Sequence, residues 1–262
     1  MIPLPVPVRR SALAALLAST LLAGGCATVA QPNPADPLEG WNRSVSGFND
    51  AIDDAVLQPV ARTYRDVVPA FVRTGVGNFF GNLADGWSAV NHLLQGKLES
   101  SANMSVRFGL NTTLGLAGVI DIAREAGLEP EREDFGQTLG RWGVGPGPYL
   151  VWPLLGPSTL RDSVARPLDL YATSPALYGL SEAEVLNASV LDLIHTRSTL
   201  LDATKLLDSV ALDRYSFLRD AYLARRRNLV HDGNPPELPS APSERFDLPA
   251  PPASPASAAP AK

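Results

Sequence analysis

Gly143-Val-Gly-Pro-Gly147 is the stretch whose residue types come nearest to a ligand-holding loop. Glycine-rich loops bind phosphate by aiming successive backbone N–H groups at the anion. Here Pro146 and Pro148 remove two of those donors, no Lys-Ser/Thr follows, and no strand pattern precedes. Nucleotide binding is therefore set aside, and a hinge or bend is the better use of these glycines. His92, His195 and His231 share no metal-ligand spacing. No Gly-x-Ser-x-Gly elbow is present, so an α/β-hydrolase is not supported. These residues offer no catalytic group, no metal ligand and no cofactor site. Asp134 and Asp162 read as helix caps or ion-pair partners, and Arg161-Asp162, placed after Ser158 at a helix start, are candidates for structural or substrate contacts. Arg225-Arg226-Arg227 stand near a helix end, where cations complement the dipole. Contact of this cluster with an anionic group is the alternative.

The segment these residues flank is unusual. Tyr149-Leu-Val-Trp-Pro-Leu-Leu155 is apolar, yet it is far shorter than the ~20 residues that cross a bilayer as a helix. Pro153 interrupts its hydrogen-bond ladder. Gly143, Gly145, Gly147, Gly156 and the neighbouring prolines predict a bent, hairpin-like segment. Such a loop is either buried under helices or lies against lipid. Gly143, Gly145 and Gly147, with Tyr149, Leu150, Val151, Trp152, Pro153, Leu154 and Leu155, are the candidates for a moving element.

The two ends differ in kind from the body. Residues 1–25 read as an export signal: Arg9 and Arg10, then the short apolar run Ser11–Ala23. The run leads into Gly24-Gly25-Cys26, and Cys26 is the only cysteine. A lone cysteine makes no internal disulfide. After a small-residue cleavage site it reads as the lipid-bearing cysteine of a bacterial lipoprotein, although Ala23 stands where Leu is usual. Residue 27 is Ala, not the Asp linked to inner-membrane retention, so outer-membrane sorting is expected. Removal of the signal makes the net charge two units more negative than −5, which argues against nucleic acid. Residues 26–35 are a linker. Residues 233–262, rich in Pro, Ala and Ser, have too little apolar surface to offset the entropy of ordering and are expected to be disordered.

Residues 36–232 are ample for one domain with a core. Asp36-Pro-Leu-Glu39 reads as a capping box launching a helix with Trp41, Val45, Phe48, Ile52 and Val56 on one face, ended or kinked at Pro59. Further helices are expected from Pro69, over Gly86–Leu94 and Leu98–Leu110, from Ser181 with Leu186, Val190, Leu193, Ile194, Leu200, Leu201 and Leu207 towards the core, and from about Asp213 to Leu229. Asn111–Asp121 is helical or turning. No alternating β pattern of any length and no fixed repeat appears. The fold class is all-α.

Several motifs together resemble the MlaA (VacJ) family of outer-membrane lipoproteins. They are Asp36-Pro-Leu-Glu-Gly-Trp-Asn-Arg43, Phe48-Asn-Asp50, Asn78–Leu83, Asn111–Gly115, and Phe135–Tyr149 continuing through Gly156–Asp162, with Thr196-Arg197, Leu200-Leu201 and Arg219–Tyr222 behind them. The resemblance implies a ring-like single helical domain lying in the outer membrane of a Gram-negative bacterium, anchored through Cys26 and associated with trimeric porins. It implies no enzyme. It implies that phospholipids strayed into the outer leaflet pass through an amphipathic channel to a periplasmic carrier protein, which maintains lipid asymmetry. Arg161 and Asp162 then become candidates for headgroup or structural contacts. The competing expectation is a structural, porin-associated envelope lipoprotein without transport activity.

Overall fold

The computed structural model describes residues 36–236. The expected signal, Cys26, the linker before Asp36 and the tail beyond residue 236 lie outside the described residues.

The described residues are mostly helical. Helix α1 spans Glu39–Ile52 and runs through a π turn, Asp53–Leu57, straight into α2, Gln58–Val67. Pro59 therefore does not end the helix. Its ring crowds the carbonyl four residues back and it supplies no N–H; one wider turn, closed by Gln58 N–H on the Asp53 carbonyl, absorbs the defect. Pro69 caps α3, which runs unbroken over Ala70–Leu94 and so includes the separate helix expected at Gly86. Helix α4 is Leu98–Thr113, and the Gly-interrupted run after it turns through Leu116 and Ala117, both at positive φ, into the short α5, Ile122–Glu125. Helix α6, Phe135–Arg141, precedes the glycine-rich segment. That segment folds as a two-stranded antiparallel hairpin, β1 Tyr149–Trp152 and β2 Gly156–Thr159. Helices α7, Leu160–Ala172, α8, Glu182–Thr199, α9, Leu201–Val210, and α10, Arg214–Val230, follow, with a 3-10 turn, Pro175–Tyr178, between α7 and α8. The Ser181–Glu184 capping box is formed at the start of α8.

Packing follows a circuit. Helix α1 lies on β1, β2 on α7, α7 on α6, α6 on α3, α3 on α8 and α8 on α2, which returns through the π turn to α1. Helix α10 crosses behind α6 and the hairpin.

Polarity is inverted relative to a water-soluble bundle. The buried side chains include Asn42, Asn82, Asp85, Asn91, Arg107, Asp162 and Arg226, while the buried apolar cluster is small: Val45, Tyr149, Val151 and Tyr215. Large apolar side chains face outward instead. Phe71 is 78 % exposed, Leu186 64 % and Leu206 65 %. This corrects the expectation that Leu186, Val190, Leu193 and Leu200 point to a core; of the others expected inward, Ile194 and Leu207 are half-buried and Leu201 is fully buried. Apolar periodicity finds the apolar face of a helix and is silent on which side that face meets. An outer surface this apolar marks a face that lipid or another protein covers.

Candidate functional site

The hairpin is the centre of the site, and α1 is what holds it. Asn42 and Asn49 stand seven residues apart, two helical turns on one face of α1. The Asn42 amide donates to the Tyr149 carbonyl at 3.0 Å and accepts from the Val151 N–H at 2.8 Å. Asn49 donates to the Trp152 carbonyl at 3.0 Å and accepts from the Leu154 N–H at 2.8 Å. Two amides thus stand in for a neighbouring strand and satisfy the free edge of β1. Leu154, at the tip, has φ 62°, a costly angle for a residue with a side chain; the Asn49 bond lands on its N–H. Along β1, Tyr149 and Val151 point into the apolar cluster while Trp152 faces out, the two-residue alternation of a strand confined to four residues.

Asp36 does not form the capping box expected of it: the N-cap of α1 is Leu38. Its carboxylate is buried and receives Asn42 Nδ2 at 2.8 Å, the Tyr215 hydroxyl, and Arg219 Nη1 at 3.4 Å. This ties the clamp residue Asn42 to α10. Burial pushes the Tyr149 phenol up to about 12, with Asp36 adding to the effect.

Under the hairpin lies a cavity of about 270 Å³. Tyr149, Val151, Leu154 and Leu155 form its apolar side; Asp50, Asp53, Arg197 and Arg214 form the charged side. Arg197 grips Asp53 in the π turn with two bonds, at 2.6 and 2.7 Å. A second cavity, about 540 Å³, lies farther round the circuit between α3 and α8. The two share the carboxyl end of α8: Arg197 lines the first, Thr196 and Thr199 the second.

Four of the apolar candidates, Tyr149, Val151, Leu154 and Leu155, therefore come together at one cavity. Leu150, Trp152 and Pro153 belong to the hairpin but do not line that space. Gly143, Gly145 and Gly147 form the approach to the hairpin. Gly143 has φ 93° and Gly147 φ 67°, and a side chain at Gly147 would press on Leu160. Gly145 is open on all sides.

Arg161 and Asp162 lie elsewhere, in a buried ionic knot where α6, α7 and α10 meet. Asp162 receives Arg226 Nε and Nη2, both at 2.9 Å, Arg161 Nε at 3.0 Å and the Tyr222 hydroxyl at 3.1 Å. Arg226 also reaches Asp134, which caps α6 by accepting from Gln137 N–H at 2.8 Å. Burial opposes ionisation of Asp134, but the Arg226 fork outweighs it and holds the carboxyl below its ordinary range. Gly136 is glycine because a Cβ there would stand 2.6 Å from Asp162 Oδ1. Of the Arg225–Arg227 cluster, then, the middle arginine turns inward to this knot rather than only capping a dipole. A second knot joins Arg107 to Asp85 at 3.0 Å and Asp121 at 3.1 Å.

Sequence reasoning missed the clamp and the Asp53–Arg197 pair. Asn is a poor residue for a helix interior, so two of them seven residues apart beside Val45 and Phe48 were the available signal. Nothing local announces Asp53–Arg197, whose partners are 144 residues apart.

An all-α interaction domain, with charge inside, apolar side chains outside and mixed-polarity space under a clamped hairpin, is the class that fold and site define. Comparison with known proteins narrows it. The family model described as MlaA lipoprotein matches residues 34–229, and the chain belongs to that family. It is 39 % identical over 244 residues to the intermembrane phospholipid transport system lipoprotein MlaA of Shigella flexneri, covering 90 % of this chain and 96 % of the relative. It is 31 % identical over 234 residues to the protein of that name in Haemophilus influenzae, covering 86 % and 92 %. A solved structure, from work on the structural basis for maintenance of bacterial outer membrane lipid asymmetry, superposes with a TM-score of 0.65 at 40 % identity, covering 74 % of this chain and 98 % of that one.

Proposed function

We propose that this protein is the outer-membrane lipoprotein of an intermembrane phospholipid transport system. It takes phospholipids that have strayed into the outer leaflet, passes them through the interior of its helical circuit, and releases them to a periplasmic carrier, so maintaining lipid asymmetry. The relatives' names support the system, and the inverted polarity supports the route. A phospholipid carries apolar tails and a charged head, and moving it requires a path on which the head meets polar groups. Apolar side chains outside and charged groups inside supply both surfaces. The ring-like form is supported by the closed circuit of helix contacts. Irregular backbone at membrane depth is tolerated where it lines a cavity, which suits the hairpin as a gate. No step of this function needs a nucleophile, a metal or a cofactor. Cys26 carries the lipid anchor, and a trimeric porin is the neighbour that covers part of the apolar outer face.

The single observation that carries this reading is the pairing of an apolar exterior with charged, cavity-lining groups. Its test is outer-leaflet phospholipid in a deletion strain, measured by labelling intact cells with an impermeant amine-reactive reagent. Labelled phospholipid should rise several-fold and return to normal on complementation. An unchanged outer leaflet would leave only a structural, porin-associated role. Cys26→Ala should give an unprocessed or mislocalised precursor by mass spectrometry and fractionation; normal sorting without acyl chains would remove the anchor.

A further inference from the structure

The cavity between α3 and α8 is built from two unlike walls. Gly77, Gly81 and Ala84, three or four residues apart on α3, form a small-residue floor with the Phe80 ring beside it. Asp192, His195, Thr196 and Thr199 recur likewise on α8 and form a polar wall. Arg132, from the loop before α6, enters from the side. The glycines are what admit the polar groups: a Cβ on Gly81 would stand 2.7 Å from Arg132 Nη2, and one on Gly77 would stand 2.8 Å from His195 Nε2. At about 540 Å³ the space is within the range of small-molecule sites.

Two opposite charges line this space without an ion-pair partner among the described residues: the exposed Arg132, at its mouth, and Asp192, whose carboxylate is bonded only by the Thr196 hydroxyl. Arg107, Arg197 and Arg226 each grip carboxylates, but among the described residues Arg132 makes neither an ion pair nor a side-chain hydrogen bond. Asp192, half-buried, has no ion pair either, and burial pushes its carboxyl up despite His195, Thr196 and Arg132. The two charges share one cavity yet do not reach each other. A ligand that bridges them must carry both signs.

We propose that this cavity is a subsite for a zwitterionic, phosphoethanolamine-type lipid headgroup, with the phosphate on Arg132 and the ammonium on Asp192. This deepens the transport reading and rests on it. A guanidinium matches phosphate oxygens with parallel N–H donors. A primary ammonium brings three donors, which the Asp192 carboxylate and the Thr196 and Thr199 hydroxyls accept. A quaternary ammonium has no N–H and calls for a cage of aromatic faces, whereas Phe80 is the one phenyl ring in the lining. An anionic headgroup would satisfy Arg132 and leave Asp192 unpaired, a cost the zwitterion avoids.

The test uses the full chain in detergent micelles and titrates dihexanoyl phosphatidylethanolamine against dihexanoyl phosphatidylglycerol, with inorganic phosphate as competitor. The ethanolamine lipid should bind about tenfold or more tighter. Asp192→Asn should weaken that lipid alone and erase the preference. Arg132→Gln should weaken both by about tenfold or more. Gly81→Ala should push the guanidinium aside and reproduce Arg132→Gln with the arginine still present; thermal unfolding of each variant controls for folding. An unchanged preference in Asp192→Asn overturns the proposal, and so does displacement of lipid by inorganic phosphate at equal concentration, which would make this a free-phosphate site. Outer-leaflet phospholipid is followed in the same strains. Normal clearance by a chain with no Asp192-dependent preference removes the subsite and keeps transport. The preference intact in a protein whose deletion leaves the outer leaflet unchanged keeps the subsite and removes transport.

Discussion

The hairpin and the ionic knot are both built around buried polar groups, but the chemistry of their bonds differs. The strands and tip of the hairpin are held by neutral groups: the Asn42 and Asn49 amides on the β1 backbone, and the Trp152 indole on the Ser163 hydroxyl at 2.8 Å. The knot joins Asp134, Asp162, Arg161 and Arg226 by charge-assisted bonds across α6, α7 and α10. A neutral hydrogen bond contributes roughly 0.5–1.5 kcal/mol net and is readily exchanged for one to water. A buried charge that loses its partner has no such exchange. The molecule thus places its charged bonds where helices must not separate, and keeps bonds that water can replace for the hairpin tip, where Asn49 is half-buried, while the fully buried Asn42 fixes the base.

Breaking the knot should therefore have the largest effect. Arg226→Leu takes the guanidinium from the buried Asp162, which keeps Arg161 and Tyr222, and from the part-exposed Asp134; it should cost up to about 3–5 kcal/mol, read as a large loss of thermal stability and abundance. The pH dependence sharpens this. Asp134 sits below its ordinary value of 3.8 when folded, so its contribution is present above that value and is lost as pH falls through the lower folded one. The variant should lack that acid-limb loss. A mild stability change with the acid limb intact would mean the knot is not what distinguishes the two regions.

The clamp should respond less, and its two members unequally. Asn42 is fully buried and also binds Asp36; Asn42→Ala should cost about 1–3 kcal/mol, the penalty for stranding buried partners. Asn49 is half-buried near the tip, where water replaces its amide, so Asn49→Ala should cost about 1 kcal/mol or less. Its main effect should fall on the hairpin: faster amide exchange at Leu154 and altered lipid clearance at near-normal protein levels. Equal destabilisation by the two variants, in chemical unfolding, would show that the tip is as fixed as the base.

How much of this could be read from the chain follows the same division. The helices at Leu98 and Ser181, the bend at Gly143–Leu155 and the all-α class were legible because caps, glycines, prolines and periodicity act over a few residues. The outward direction of Leu186 and Leu193 was not legible, because an apolar stripe looks the same facing a core or facing lipid. Nor was the clamp, whose partners are more than a hundred residues apart, nor the burial of Arg226 within a run of three arginines that reads as a solvated helix end. Of the candidate site, the hairpin was found by composition, while the groups that border its cavity, Asp53 and Arg197, depended on tertiary closure.

The smallest effect on stability should come from the approach to the hairpin, and there the glycines are not equivalent. Gly147 has a positive φ that proline cannot adopt, so Gly147→Pro would strain the fold and confuse motion with stability. Gly145 has no neighbour within 4 Å of a would-be Cβ, and its N–H donates no backbone hydrogen bond. Proline at 145 therefore restricts the backbone without a Cβ clash and without removing a hydrogen bond from residue 145's own N–H. It also biases Val144 towards extended angles. If the hairpin swings on this approach, a few residues there must absorb the change in backbone angles, and Gly145→Pro should raise outer-leaflet phospholipid several-fold while unfolding temperature and protein level stay near wild type. If the hairpin is as fixed as the knot, Gly145→Pro should leave both lipid clearance and stability unchanged. Outer-leaflet labelling and folded-protein quantification in the same strain separate the two, and normal clearance with the approach stiffened would count against a moving gate.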